Sequence, residues 1–323
     1  MRPVRTRGNF FTNWKSNSRV GVPCLRGPSG YAGRHSESIF NRIIAERTRT
    51  SHVVNRTFNQ SLVTSAPAAM AEELQSRLHG NASLPTLIYL PGLHGDWTLI
   101  GAFRHALGGK VRFVEITYPR TLTWSLDEYA AAVETALANN NITNGWLLGE
   151  SFSSQVVWAM VGRGKFPAQG VILAGGFVKY PRDRAIRLAE KITARISTRL
   201  LVWIIFGYAK VARFRYRHSP KILASLDEFI SRRTELDRRA AQHRLRLIAQ
   251  SDPRPVAIQT RLPVFGLSGF FDPIVPWPRV RRWLRKNCPA LRDYRIIFRA
   301  DHNVLNTASH EAAGQVLRWI NDL

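Results

Sequence analysis

The sequence predicts an α/β protein in which helices cover both faces of a mostly parallel central sheet. Mostly apolar runs of five to eight residues recur from residue 86 onwards, and amphipathic segments with helical spacing separate them. Strands that are buried on both faces read as such unbroken apolar runs. The 323 residues are enough for one large domain or two modest ones.

The apolar runs predict the strands in chain order. The first run, residues 86–91, ends in Pro-Gly, which is typical of a buried strand followed by a turn. The further predicted strands are residues 111–118, 145–149, 171–176, 262–268 and 294–298. Residues 70–85 contain alanines and glutamates and end in Leu84-Pro85, so a helix or a loop is expected there.

Helical segments alternate with these runs. Ser125-Leu-Asp-Glu128 has the pattern of a capping box, with Ser125 at the N-cap and Glu128 three residues later. Apolar residues at helical spacing follow it as far as Leu137, and three asparagines then end the predicted helix. Further helices are predicted at residues 153–163 and 309–323.

Composition excludes several classes of protein. Two cysteines cannot form a disulfide framework or a four-cysteine zinc site. The longest apolar run, residues 200–209, has half the length of a membrane-spanning helix. The sequence contains no glycine-rich phosphate loop and no metal-ligand cluster, so it implies no cofactor.

The net charge of +25 is unevenly distributed. Residues 1–69 carry 11 basic and 2 acidic residues, and residues 181–250 carry 17 and 6, whereas residues 70–180 are neutral with 8 of each. No nucleic-acid-binding motif accompanies this charge, and 39 of the 47 basic residues are arginines spread over many segments. Solvated helix faces explain the pattern, and attraction to an anionic surface is the alternative.

Residues 1–69 lack helical or strand periodicity and are predicted to be a basic, disordered extension. The folded domain is therefore expected to cover residues 70–323. Residues 1–69 contain no apolar segment typical of a secretory signal, which favours a cytoplasmic protein. A basic presequence has the same composition and remains the alternative.

The third apolar run leads into a chemically distinctive pentapeptide, Gly149-Glu-Ser151-Phe-Ser153, and then into a predicted helix. This is close to G-x-S-x-G, in which a tight strand-to-helix turn exposes the serine hydroxyl. The helix N-terminus favours negative charge that develops beside the serine. Ser153 stands where the pattern has its second glycine.

An aspartate and a histidine follow the last two predicted strands. Asp272 comes just after residues 262–268, and His302 comes just after residues 294–298. Because the carboxyl ends of parallel strands meet at one edge of a sheet, Ser151, Asp272 and His302 are expected to lie together. Their order along the chain is that of a serine nucleophile, an acid and a base.

These motifs resemble the α/β-hydrolase superfamily, and more narrowly its bacterial serine esterase and lipase-like members. The resemblance extends from about residue 86 to residue 323 and includes Leu90-Pro-Gly-Leu-His-Gly95. It implies a Ser151–Asp272–His302 triad and an oxyanion hole formed by the N–H groups of Leu93 and Phe152. It also implies a helical cap at about residues 181–250. Members usually have two strands before the one that ends at the oxyanion turn.

Several of these residues have alternative interpretations. If the pattern arose by chance, Ser151 is an ordinary turn residue or Asp272 is a helix cap. Asp301 is the rival acid, although neighbouring residues at a strand end usually point apart. Glu150 is interpreted mainly as a packing or hydrogen-bonding residue. His94 lies beside the expected oxyanion turn and is a candidate pocket residue.

The function expected from this resemblance is hydrolysis of a carboxylic ester through an acyl-enzyme, with a small acyl ester as substrate. A thioesterase or an acyltransferase with the same triad is the first alternative. A non-catalytic lipid- or polyanion-binding protein on a hydrolase scaffold is the second. The basic cap, with its apolar residues 200–206, lines the acyl pocket or makes weak contact with an anionic membrane surface. Binding to a specific nucleic acid is not expected.

We predict that a chain beginning at Met70 folds, because residues 1–69 contain no pattern that requires them for a core. Circular dichroism and thermal unfolding of this shortened chain, measured beside the full chain, check the prediction. A shortened chain without a cooperative unfolding transition would contradict it.

Overall fold

A seven-stranded sheet lies at the centre of the structure, a computed structural model that describes residues 73–181, 188, 217, 219–231 and 234–322. The strands are β1 (Gln75–His79), β2 (Thr86–Leu90), β3 (Arg112–Thr117), β4 (Gly145–Glu150), β5 (Ala168–Ala174), β6 (Val264–Gly269) and β7 (Leu291–Ile297). Their order in the sheet is β1-β3-β2-β4-β5-β6-β7, and every neighbouring pair except β1 with β3 is parallel. The predicted mostly parallel sheet is therefore confirmed.

Helices cover both faces of this sheet, as predicted. The described helices are α1 (Gly101–Ala106), α2 (Leu126–Asn139), α3 (Ser153–Arg163), α4 (Pro220–Ser231), α5 (Glu235–Gln250), α6 (Arg254–Gln259), α7 (Trp277–Asn287), α8 (Val304–Thr307) and α9 (Ser309–Asn321). Residues of α2, α3 and α7 pack on one face, and residues of α1, α8 and α9 pack on the other.

Alternating residues of the strands pack into two hydrophobic cores, one on each face of the sheet. In β2, Leu87 and Tyr89 belong to the core under α1 and α9, whereas Ile88 and Leu90 belong to the core under α2 and α3. All five residues of β2 are buried, because the strand is covered on both faces. This double burial explains why the central strands appear in the sequence as unbroken apolar runs.

The expectation of a helix or loop at residues 70–85 is wrong, because β1 lies there and pairs antiparallel with β3. Three of its five residues, including Arg77, are exposed, so the segment lacks the apolar run of a central strand. Its place is decided by main-chain pairing with a distant strand. Exposed charge on such an edge also discourages pairing with other chains.

Helices α4 and α5 lie within the predicted cap at residues 181–250. The apolar segment 200–206 and the predicted extension 1–69 lie outside the described residues. The same holds for the basic residues that follow that segment, Lys210, Arg213 and Arg215. No helix in the described part of the chain is both long enough and apolar enough to cross a membrane.

The capping box predicted at the start of α2 is present. The Glu128 N–H donates to Ser125 Oγ at 3.2 Å, and the Ser125 N–H donates to Glu128 Oε2 at 2.7 Å. These two bonds satisfy N–H groups that have no partner inside the helix.

We predict that Ser125→Ala lowers the free energy of unfolding by about 1 kcal/mol, because the cap acceptor is lost. Chemical denaturation monitored by circular dichroism measures this change. Thr135→Ala on the exposed side of the same helix is the matched control and should be neutral or slightly stabilising. An equal loss of stability in both variants would contradict the assignment to the cap.

Candidate active site

Ser151 lies in the tight turn between the end of β4 and the start of α3. Its φ of 49° is in the left-handed region, which non-glycine residues seldom adopt. The Ser151 N–H donates to the carbonyl of Ala174 at 2.9 Å, which ties the turn to the end of β5. Gly149 permits this close turn, because a Cβ there would lie 2.9 Å from the carbonyl oxygen of Ser153.

His302 connects Ser151 with Asp272 through two hydrogen bonds. Its Nε2 lies 2.8 Å from Ser151 Oγ, and its Nδ1 lies 2.8 Å from Asp272 Oδ2. Because a carboxylate only accepts hydrogen bonds, Nδ1 of neutral His302 carries the proton and Nε2 accepts from the Ser151 hydroxyl. The three residues predicted from separate strand ends therefore meet at the carboxyl edge of the sheet.

Asp272 is held in place from its other oxygen. Its Oδ1 accepts the N–H groups of Ile274 and Val275, each at 2.8 Å, and its side chain is fully buried. The neighbouring acid Asp301 accepts from the Asn303 N–H at 3.0 Å and from Thr307 Oγ1 at 3.2 Å. His302 Nδ1 thus donates to Asp272, while Asp301 accepts from the Asn303 N–H and the Thr307 hydroxyl.

Glu150, next to Ser151, is a buried hydrogen-bond acceptor. Its Oε2 accepts from the Tyr89 hydroxyl at 2.5 Å, and Glu150 is only 4% exposed. Burial raises the pKa of Tyr89, and the adjacent Glu150 charge raises it further, so the hydroxyl stays protonated and donates. Nothing in the sequence of β2 identified Tyr89 as this partner.

The environment of His302 raises its pKa above the usual 6.5. Burial by itself lowers the pKa, because it disfavours the charged ring. The hydrogen bond and charge of Asp272, with the charges of Glu150 and Asp301, act in the opposite direction and outweigh burial. His302 is therefore a stronger base than a solvated histidine.

The two predicted oxyanion donors, Leu93 and Phe152, lie on two different segments. Phe152 precedes the first residue of α3, and Leu93 lies in the turn that follows β2. Within the described part of the chain, no acceptor is found for either N–H group. Both groups can thus donate to a bound oxyanion, and the positive end of the α3 dipole adds to the donor at Phe152.

Ser153, which replaces the second glycine of the motif, uses its hydroxyl to join the two segments. It donates to the carbonyl of Pro91 and lies 2.7 Å from the Tyr118 hydroxyl. Because its proton goes to Pro91, Ser153 accepts from Tyr118. The sequence suggested only that a small residue is needed here, and neither this bridge nor Tyr118 was predicted.

His94 lies in the turn that follows β2, next to the predicted oxyanion donor Leu93. Its ring packs edge-on against Phe229 of α4, with ring centroids 5.6 Å apart. It also approaches Gly92, where a Cβ would lie 3.3 Å from the His94 ring. The half-buried His94 thus sits between the turn and the insert. A role in the pocket stays a prediction.

A cavity of about 1080 Å³ is lined by residues of α1, α4, α8 and α9 together with Arg77, Trp97 and Thr98. Its described lining includes neither a residue of the triad nor a predicted oxyanion donor. Within the described part of the chain, the buried atoms Thr98 Oγ1 and Asn306 Oδ1 have no hydrogen-bond partner. Because these two oxygen atoms are buried, neither faces the open space of the cavity.

Solved structures match this arrangement of strands and helices. A hydrolase from Pseudomonas aeruginosa PA01 has a TM-score of 0.65 and 14% sequence identity, over 76% of this chain and 94% of that chain. An enol-lactonase from Burkholderia xenovorans LB400 has a TM-score of 0.64 and 17% identity, over 77% and 96% of the two chains. A thermophilic esterase from Thermogutta terrifontis has a TM-score of 0.62 and 17% identity, over 77% and 93%. No family model matches the sequence, and the comparison with curated proteins gave no match either.

At these identities the matches show the fold. The seven-stranded, mostly parallel sheet and its structural relatives define the α/β-hydrolase class of architecture. The chain has the α/β-hydrolase fold, and this prediction from its motifs is confirmed.

We predict that the pKa of His302 is above 6.5 and falls in Glu150→Gln, because a negative charge that favours protonated His302 is removed. The pH titration of the His302 Cε1–H signal by NMR measures the shift, and the spectrum of His302→Asn assigns the signal. Glu311→Gln removes an exposed carboxylate that is not among the causes of the His302 shift and should leave the midpoint unchanged. An unaltered midpoint in Glu150→Gln would contradict the proposed charge effect.

Proposed function

We propose that the protein is a serine hydrolase that cleaves a carboxylic ester through an acyl-enzyme. The unbroken chain of hydrogen bonds from Asp272 through His302 to Ser151 carries this proposal. A nucleophile, a base and a group that orients the base are the components that acyl transfer requires.

In the first half of the reaction, Ser151 Oγ attacks the ester carbonyl carbon while its proton passes to His302 Nε2. Asp272 keeps the His302 ring in the required tautomer and stabilises the imidazolium that forms. The tetrahedral intermediate then collapses, and His302 returns the proton to the departing alkoxide. An alcohol leaves, and the acyl group remains bound to Ser151 as an ester.

In the second half, water attacks the acyl-enzyme. His302 takes a proton from the water, and the new tetrahedral intermediate releases the carboxylic acid. His302 then gives the proton back to Ser151 Oγ, which restores the starting state. The raised pKa of His302 suits this exchange, because a base works best when its pKa is near the working pH.

The oxyanion of both intermediates would be held by the N–H groups of Leu93 and Phe152. In the described part of the chain neither group has a competing acceptor, which supports this assignment. Each such donor is worth ~10²–10³ in rate.

The structural relatives agree with an ester substrate. They include proteins described as esterases and an enol-lactonase. Because sequence identity to them is low, the relatives support the reaction class, and the argument for this chain depends on its own residues.

We predict that Ser151→Ala lowers kcat/KM for p-nitrophenyl esters by at least about 10⁴-fold, because the nucleophile is removed. Asp272→Asn should cost about 10⁴-fold, since the neutral amide no longer holds the right tautomer of His302. Initial rates of the full chain on a series of acyl lengths measure both effects. A fluorophosphonate probe, followed by mass spectrometry, should modify Ser151 in the unchanged protein.

Asp301→Asn is the matched control, because it changes the neighbouring carboxylate that does not bind His302 Nδ1. It should keep kcat/KM within about tenfold of the unchanged protein. Equal hydrolysis by Ser151→Ala and the unchanged protein would show that Ser151 is not the nucleophile. Absence of both turnover and labelling would instead favour a non-catalytic binding protein.

A further inference from the structure

Arg244 of α5 is a fully buried cation, with only 1% of its surface exposed. Its Nη1 donates to the carbonyl of Leu93 at 2.9 Å, and its Nη2 donates to the carbonyl of Pro119 at 3.0 Å. Its Nε lies 3.4 Å from the Tyr129 hydroxyl. Among the described residues no carboxylate lies within ion-pair distance of the guanidinium. Burial of a charge that only neutral groups bind costs free energy of desolvation, so the presence of Arg244 at this position needs an explanation.

Aromatic rings replace the missing counter-ion in part. The Arg244 guanidinium lies 5.7 Å from the centroid of the Tyr118 ring and 6.0 Å from that of the Tyr129 ring. A guanidinium over such rings gains cation–π attraction, and this gain increases when water is excluded. The two rings and the two carbonyls therefore fix both the position and the plane of the guanidinium.

The turn after β2 is shaped to receive Arg244. Gly95 has a φ of 80°, and a Cβ at this position would overlap the Arg244 guanidinium. Glycine is thus required at position 95 for two reasons: the backbone has a positive φ, and a Cβ would occupy the space of the Arg244 guanidinium. This fit places Arg244 directly against residues 91–95, the predicted oxyanion turn.

The carbonyls of this turn are fixed from several sides. The Gly95 N–H donates to the Gly92 carbonyl at 3.0 Å, and the Tyr118 N–H donates to the Gly95 carbonyl at 2.8 Å. Ser153 binds the carbonyl of Pro91, and Arg244 binds that of Leu93. The Leu93 N–H shares a peptide plane with the Gly92 carbonyl, which the Gly95 N–H binds, and the next plane carries the Leu93 carbonyl, which Arg244 binds. Both peptide planes that meet at Leu93 are therefore restrained.

We propose that Arg244 is a positioning residue that directs the Leu93 N–H towards the oxyanion, an inference that rests on the proposed function. The bond to the Leu93 carbonyl fixes the peptide plane after Leu93, and the Gly92 carbonyl fixes the plane before it. Because Arg244 belongs to α5 of the insert, hydrolysis requires that α5 is docked on the core. The insert therefore takes part in forming the oxyanion hole.

The test compares Arg244→Met and Arg244→Lys with Arg239→Met, which removes an exposed arginine from the same helix. With p-nitrophenyl butyrate, Arg244→Met should lower kcat by ~10–100-fold and change KM by less than about twofold, because only transition-state binding is lost. Arg244→Lys keeps the charge but loses the two-pronged donor, so its kcat should be intermediate. Arg239→Met should match the unchanged protein.

A second readout separates positioning from folding. Fluorophosphonate titration counts the competent Ser151 residues, so kcat is expressed per active site. Butylboronic acid forms a tetrahedral adduct with a serine, and its inhibition constant should rise in Arg244→Met by the same factor by which kcat falls. A purely structural role would lower the number of sites and the melting temperature and leave both quantities per site unchanged.

Unchanged kcat and boronate affinity per site in Arg244→Met would overturn the inference. If Arg244→Met yields no folded protein, Arg244→Lys decides, and wild-type values per site in that variant would overturn it. An unchanged protein that neither hydrolyses esters nor reacts at Ser151 would overturn the proposed function and this inference together. An active protein whose kcat and boronate affinity per site do not change in Arg244→Met would overturn this inference alone.

Discussion

The backbone of Ser151, held at a φ of 49° between β4 and α3, is the constraint on which the rest of the site depends. From this turn the hydroxyl reaches His302 while the neighbouring Phe152 N–H stays at the start of the helix. The conformation is strained for an L-residue, so its surroundings must impose it. Gly149 permits the close approach of strand and helix, and the bond to Ala174 ties the turn to the next strand.

The turn after β2, which carries the predicted oxyanion donor Leu93, is held by contacts with elements that are distant in sequence. Ser153 of α3, Arg244 of α5 and the backbone of Tyr118 each bind a carbonyl of the turn after β2. The turn has no regular secondary structure of its own, and its conformation is held by these three partners together with the internal bond from the Gly95 N–H to the Gly92 carbonyl. The same arrangement gives a role to the serine that replaces a motif glycine and to a buried arginine without a described carboxylate partner.

Much of the fold could be read from the sequence, because the central strands are covered on both faces and therefore appear as apolar runs. The capping box at Ser125 was equally readable, since its bonds are local. Strand β1 was missed, because an exposed edge strand carries little apolar signal and is fixed by pairing with β3. The residues Tyr89, Tyr118 and Arg244 were missed for the same reason, since their partners lie far away in sequence.

The sequence by itself determined the α/β architecture, the serine between a strand and a helix, and the order of Ser151, Asp272 and His302 along the chain. These features depend on local pattern and on the rule that parallel strands share one carboxyl edge. Only the tertiary structure decided that Asp272 and not Asp301 binds His302, and that Ser153 and Arg244 hold the turn after β2. Such choices depend on side-chain directions and on contacts between residues at least 30 positions apart in sequence, which no local pattern records.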